Sequence, residues 1–261
     1  MGEAAAKVKS IFLYPIKSCR GISVSEAYVS STGFKWDRQW VVVNSKGRAC
    51  TQRVEPKLCL VEAELPNDAF SVNWKPNNSS QLVIRAPGMD ELKDLAWMRE
   101  MKHLKWFTNY LGKPSRLVRF NQESESRPVD PNYAPGFKVM FSDGYPYLLL
   151  SQDSLNSLNE VLKEPVPINR FRPNILVDGC EPFSEDLWKE IKIYNLTFHG
   201  VKLCARCKIP TINQENAGKG KVYFGQNMVC ADVDEENEKI IKVGDPVYVI
   251  EMLSSYDSTS T

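Results

Sequence analysis

The chain has 261 residues, 43% of them hydrophobic and 25% charged, the balance of an ordinary globular protein long enough to bury a core without staples. Its 33 basic and 32 acidic residues nearly cancel, to a net charge of +1. That argues against a nucleic-acid-binding or polybasic membrane surface, while leaving room for a small basic pocket. No apolar run approaches the roughly 18 residues of a transmembrane helix. Met1 to Lys9 lacks an apolar signal core and has no arginine. Ala6 stands where N-myristoylation expects serine or threonine. A soluble intracellular protein is expected, with the cytoplasm favoured.

In chain order, the first part reads mainly as strands: Val8 to Leu13, Ile22 to Val29, Trp40 to Val43 and Leu58 to Leu65, with weaker runs at Phe70 to Val72 and Leu82 to Ile84. Turn signals such as Thr32-Gly33 and Lys46-Gly47 separate them. Many short strands of this kind point to a barrel or sandwich rather than a parallel α/β sheet. Met98 to Leu111 has apolar residues at helical spacing, with Gly112 and Pro114 as stops. Arg116 to Phe120 returns to strand, and the polar segment from Gln122 to Gly136 is a loop and the candidate domain boundary. Ser151 can cap a second helix with Leu155, Leu158, Val161 and Leu162 on its apolar face, ended by Pro165. Asn174 to Val177 is a buried strand, and Glu185 to Lys189 a helical turn. Ile191 to Leu203 reads as strand, turn, strand around His199-Gly200. Pro246 to Ile250 is the last strand, after the turn at Val243-Gly244-Asp245. The tail is rich in serine and threonine and is expected to be disordered.

Seven cysteines, an odd number without a secretory signal, are read as reduced thiols rather than a disulfide scaffold. Only Cys204 and Cys207 are closely spaced, as Cys204-Ala205-Arg206-Cys207. Three readings stay open at this point. A zinc site needs four ligands, and the chain offers only His103 and His199 beside the pair. A redox dithiol sits between a strand and a helix, whereas Ile209-Pro210-Thr211-Ile212 looks extended. Two half-buried structural thiols are the bland reading. Arg206 favours a thiolate beside it, the form of cysteine that binds soft metals or attacks.

Four turns elsewhere offer groups suited to a phosphate: Tyr14-Pro15-Ile16-Lys17-Ser18, Asp37-Arg38-Gln39-Trp40, Ser142-Asp143-Gly144-Tyr145-Pro146 and Phe171-Arg172-Pro173-Asn174. Lysine supplies a point charge, arginine a bidentate fork, and serine or backbone N–H a directional donor. Any one of these cations alone is more simply read as an exposed surface charge.

Taken in order, these motifs, with Phe224-Gly225-Gln226 and Ile241-Lys242-Val243-Gly244-Asp245-Pro246-Val247, resemble the MOSC-domain family, most closely its amidoxime-reducing component branch in a plant-like form. The resemblance runs across nearly the whole chain; each motif is weak alone, and the ordered set is specific. It implies a predominantly β, α+β fold: an N-terminal β-barrel-like domain over residues 8–121 packed on a β-barrel-like MOSC domain over residues 122–252, with a few helices and a tail at 253–261. It implies the molybdenum cofactor, with Cys207 as the catalytic metal ligand. Lys17, Ser18, Arg38, Ser142, Asp143, Arg172, Asn174 and Arg206 fall at its pterin and phosphate contacts. By resemblance the substrates are small N-hydroxylated molecules. No nucleotide, flavin or haem motif is present to carry electrons, so the implied donors are a cytochrome b5-type haem protein and its NADH-dependent reductase. The alternative is a cofactor carrier or storage protein, or a sulfur-carrier module, without turnover. Relatives associated with mitochondrial membranes extend the expected location to mitochondria.

The chain departs from the family pattern in three regions. Gly144 and Tyr145 replace small hydroxyl residues, Asn213 stands where an aspartate is common, and the stretch between Gln214 and Phe224 is shorter than usual.

Overall fold

The computed structural model describes residues 2–70, 74–75, 77, 80–94, 104–122, 125–205, 223–232 and 239–254. The first half contains β1 (Ala6–Leu13), β2 (Ile22–Val24), β3 (Glu26–Ser30), β4 (Gly33–Phe34), β5 (Trp40–Asn44), β6 (Glu62–Glu64), β7 (Leu82–Arg85), β8 (Leu92–Asp94), the helix α1 (Leu104–Leu111) and β9 (Ser115–Arg119). The second half contains β10 (Tyr147–Ser151), α2 (Gln152–Val161), β11 (Ile175–Asp178), β12 (Trp188–Ile193), β13 (Leu196–Ala205), β14 (Tyr223–Cys230), β15 (Lys239–Lys242) and β16 (Pro246–Met252). The fold is predominantly β, as expected.

Seven strands close into a barrel in the order β11-β10-β14-β13-β12-β16-β1, with β1 returning to β11. Closure leaves no free edge around the ring. The closing strand comes from the far end of the chain: β1 pairs antiparallel with β11 through Ile11 and Ile175, and with β16 through Ala6 and Val247. Alternation interrupted by a register shift between Val8 and Ser10 turns Val8, Ile11 and Leu13 inward, against Tyr147, Leu149, Val177, Trp188, Phe198 and Met228. A second core gathers Ile16, Trp36, Trp40, Val42, Leu58, Leu82, Ile84, Phe107 and Leu117 between β5–β9, β6–β7–β8 and α1. Residues 14–16 pass from one core to the other, because Leu13 belongs to the first and Ile16 to the second.

Several local expectations hold. The Ser151 hydroxyl accepts from the N–H of Asp153 at 3.1 Å and of Ser154 at 3.4 Å, capping α2. Gly112 takes a positive φ of 71° just after α1, where a residue without Cβ ends a helix at least cost. Of the helix expected over Met98 to Leu111, residues 98–103 lie outside the described residues, as do Ser71, Val72 and 255–261 of the tail.

Others need correction. The run from Ile22 to Val29 is two strands, broken at Ser25 where the chain leaves the barrel sheet for the β15-β3-β4 sheet. One apolar run therefore serves two sheets. Leu58 to Leu65 is not one strand: Pro56–Leu60 forms a 3-10 turn before β6, with Pro56 in the first turn and Leu58 and Val61 buried at an i, i+3 spacing. Phe70 ends a 3-10 turn rather than opening a strand. The turn expected at His199-Gly200 occurs earlier, at Tyr194 (φ 55°), and both residues lie within β13. Gly200 is there because a Cβ would come within 2.1 Å of the Trp188 carbonyl, beside a register shift in the β13–β14 ladder. The helical turn near Glu185 spans Ser184–Leu187, and Trp188 already begins β12. On α2, Leu155 is buried and Leu158 packs against its cluster, but Val161 and Leu162 face solvent. β4, β8, β14 and β15 are absent from the expected strands.

Candidate functional site

The residues expected at the site come from four stretches of chain that meet where the two cores join. The segment after β1 runs beside the one before β5: Arg38 N–H donates to the Tyr14 carbonyl at 2.8 Å, Trp40 N–H to Pro15 at 3.0 Å, and Lys17 N–H to Trp40 at 2.7 Å. Phe141 N–H donates to the Arg38 carbonyl at 3.1 Å, which brings in the 141–145 turn. The start of β11 arrives through Phe12 N–H to the Asn174 carbonyl at 2.9 Å.

Side chains then lock the four together. Asp37, 1% exposed, accepts from Tyr14 N–H at 2.8 Å and from Arg38 Nη1 at 2.5 Å. Burial pushes its carboxyl upward, and the Arg38 guanidinium beside it opposes that. Arg38 also donates to Asn174 Oδ1 at 3.0 Å and, through Nη2, to the Arg172 carbonyl at 3.3 Å. Asn174 Nδ2 donates to the Phe12 carbonyl at 3.2 Å. Arg172 Nη1 donates to the Cys19 carbonyl at 2.7 Å. Lys17 Nζ donates to the Phe141 carbonyl at 2.6 Å and pairs with the exposed Asp143 carboxylate. Burial pushes the Lys17 ammonium below its usual range, against the pull of Asp143 and with the repulsion of Arg38 and Arg127.

Three residues of this cluster hold the left-handed backbone region without being glycine: Ser18 (φ 67°), Arg38 (φ 48°) and Arg172 (φ 56°). Each such conformation costs about 1–2 kcal/mol, and strain of this kind persists where the surroundings over-determine it. Here it aims the two guanidiniums into one place.

Arg172 decides the electrostatics. It is half-buried, and burial together with the neighbouring Arg38 lowers its pKa. Among the described residues it has no carboxylate within ion-pair distance. A half-buried guanidinium so placed has donor capacity suited to an anion, and Lys17 and Arg38 stand beside it.

The structure therefore brings together Lys17, Ser18, Arg38, Ser142, Asp143, Arg172 and Asn174. Ser18 and Ser142 enter through their backbones, their carbonyls accepting from Gln52 at 2.9 Å and Arg127 at 3.1 Å. Arg206 and Cys207 lie outside the described residues. The stretch that carries them leaves β13 at Ala205 and returns at β14, where the Phe224 ring sits 4.6 Å from Phe171, the neighbour of Arg172. Cys204 is half buried, and no group of three metal-ligating side chains occurs among the described residues.

Sequence reasoning missed three contributors. Tyr14 and Asp37 lay inside the quoted motifs, yet their roles depend on contacts across the chain. Arg127, within the segment read as a loop, bonds the Met140 and Ser142 carbonyls and so supports the 141–145 turn from behind.

Two family models match in tandem: the MOSC N-terminal beta barrel domain over residues 5–114 and the MOSC domain over residues 136–248. The chain belongs to the MOSC-domain family. Human mitochondrial amidoxime-reducing component 1 is 31% identical across 95% of this chain and 84% of its own length. The bovine mitochondrial amidoxime reducing component 2 is 31% identical across 94% and 84%. The molybdenum cofactor sulfurase of Arabidopsis thaliana is 30% identical across 92% of this chain but 35% of its own length. The cationic cluster of this MOSC-domain chain spans both matched regions, with Lys17 and Arg38 in the first and Asp143, Arg172 and Asn174 in the second. No described helix is long and apolar enough to cross a membrane.

Proposed function

We propose that this MOSC-domain chain is a molybdenum-cofactor-binding oxidoreductase that reduces N-hydroxylated small molecules, amidoxime to amidine in type, with electrons from an external haem protein. The observation that carries the reading is the convergence of Lys17, Arg38 and Arg172, the last half-buried without a carboxylate partner among the described residues, on one place at the junction of the two cores. This donor set fits a pterin cofactor that ends in a phosphate. Arg172 and Arg38 would hold the anionic end by bidentate donation, and Lys17 would add a point charge. Asn174 and Asp37 keep Arg38 in place. Backbone groups of the Ser142-Asp143 turn, fixed by Lys17 and Arg127, would supply further contacts that do not depend on the side chains of Gly144 and Tyr145.

Cys207 would ligate the metal as thiolate, favoured by the adjacent Arg206. Phe224, its ring tilted at 52° against that of Phe171, ties the start of β14 to the segment that carries Arg172. When bound, the cofactor supplies the two-electron redox centre at which the N-hydroxyl oxygen leaves as water. The relatives named amidoxime-reducing components support this reaction class over the others the fold could host.

The experiment is electron-donor-dependent reduction of benzamidoxime by the cofactor-loaded chain, supplied with a cytochrome b5-type haem protein and its NADH-dependent reductase. Turnover that disappears in Cys207→Ser supports the proposal. Bound molybdenum without turnover makes the chain a cofactor carrier instead.

A further inference from the structure

We infer that Tyr14 is a positioning residue, whose ring fixes the places of Arg38 and Arg172 so that both guanidiniums meet one phosphate-class anion. The inference rests on the functional reading above and names a component that reading does not contain. The Arg38 guanidinium carbon lies 4.3 Å from the Tyr14 ring centroid and that of Arg172 lies 4.2 Å from it. Two like charges gathered this closely repel. The quadrupole of an aromatic ring attracts each of them and so offsets the repulsion at the moment no anion is bound.

The ring is itself registered to both arginines. Its hydroxyl donates to the Pro173 carbonyl at 3.1 Å, one residue after Arg172. Its N–H donates to Asp37 Oδ1 at 2.8 Å, one residue before Arg38, and its carbonyl accepts Arg38 N–H at 2.8 Å. Gly21 lies flush against it, since a Cβ there would stand 2.5 Å from Tyr14 Cε1. The side chain is 2% exposed, so it cannot move to follow the arginines; they must follow it. Tyr14 thus sets the spacing of the two forks.

The test uses the full chain prepared free of cofactor and titrated with inorganic phosphate, followed by phosphorus-31 line broadening. Tyr14→Leu removes the ring and should weaken phosphate binding about five- to tenfold, the scale of two partly desolvated cation–π contacts. Tyr14→Phe keeps the ring and loses only the hydroxyl bond to Pro173, so it should lose stability while binding phosphate within about twofold of the native chain. Gly21→Ala displaces the ring without touching either arginine and should fall between them; it carries the test if Tyr14→Leu does not fold. Native affinity in Tyr14→Leu, or in Gly21→Ala, overturns the role of Tyr14 while leaving the anion site standing. Equal losses in Tyr14→Phe and Tyr14→Leu overturn it too, because the effect would then be structural. A native chain that binds no phosphate removes the anion site and the inference together.

Discussion

Asp37→Asn is the perturbation that most sharply tests how the cationic cluster is held. The substitution keeps the side-chain shape and one acceptor, so the 2.8 Å bond from Tyr14 N–H can persist. It removes the charge that faces Arg38 at 2.5 Å and places an amide where a carboxylate oxygen was. The Asp37 side chain is 1% exposed and that of Arg38 13%, so solvent does little to compensate. Removing one partner of a buried pair costs about 3–5 kcal/mol, mostly through the charge left behind. Taking the lower end, because Arg38 keeps its bonds to Asn174 and Arg172, the loss is about 3 kcal/mol. For a domain of this size that is about 6–12 °C in Tm. The assay is thermal unfolding of native, Asp37→Asn, Arg38→Met and the double variant. The double variant should recover part of the Asp37→Asn loss, since no guanidinium is left uncompensated. A Tm for Asp37→Asn within about 1 °C of native would falsify the buried-pair account of the cluster.

Two further variants probe the barrel. Gly225 has a φ of 87° and an added Cβ would stand 2.8 Å from the Leu149 carbonyl, so Gly225→Ala should destabilise by about 2–3 kcal/mol, read from urea midpoints; a change below about 0.5 kcal/mol would show that β10 yields freely. Glu185 is fully buried, accepting from Ser154 Oγ at 2.7 Å and Ser151 N–H at 3.1 Å, and burial raises its pKa. A folded-state pKa above the unfolded one means that the folded chain binds more protons between the two. Native stability therefore falls as pH rises from the ordinary carboxyl value to the raised one, and Glu185→Gln should lack that fall. Parallel curves of Tm against pH for the two proteins would refute the assignment.

The local features legible in the sequence were those with a short-range cause. The Ser151 cap, the stop at Gly112 and the alternation of β1 each depend on neighbours within a few residues. The errors arose where distant packing overrode local signal. Ile22 to Val29 looks like one strand, but its halves pair with different sheets. His199-Gly200 looks like a turn, but the glycine serves a close approach of Trp188. The closure of the barrel by β1 depends on pairing with β11 and β16 across most of the chain, which no local pattern encodes. The site shows the same division. Lys17, Arg38, Arg172 and Asn174 were each visible as unusual turn residues, and their order carried the family resemblance. Why they form one cluster was not visible, because Tyr14 and Asp37 act through contacts that exist only once the two cores are joined.

The central claim, that this chain holds molybdenum through Cys207, is met most directly by elemental analysis. Native chain, Cys204→Ser and Cys207→Ser are produced in a host that makes the cofactor and assayed for molybdenum and zinc per chain. The account predicts molybdenum approaching one atom per native chain, largely kept in Cys204→Ser and lost in Cys207→Ser, with no stoichiometric zinc. Equal molybdenum in the native chain and Cys207→Ser, or zinc in its place, would contradict it.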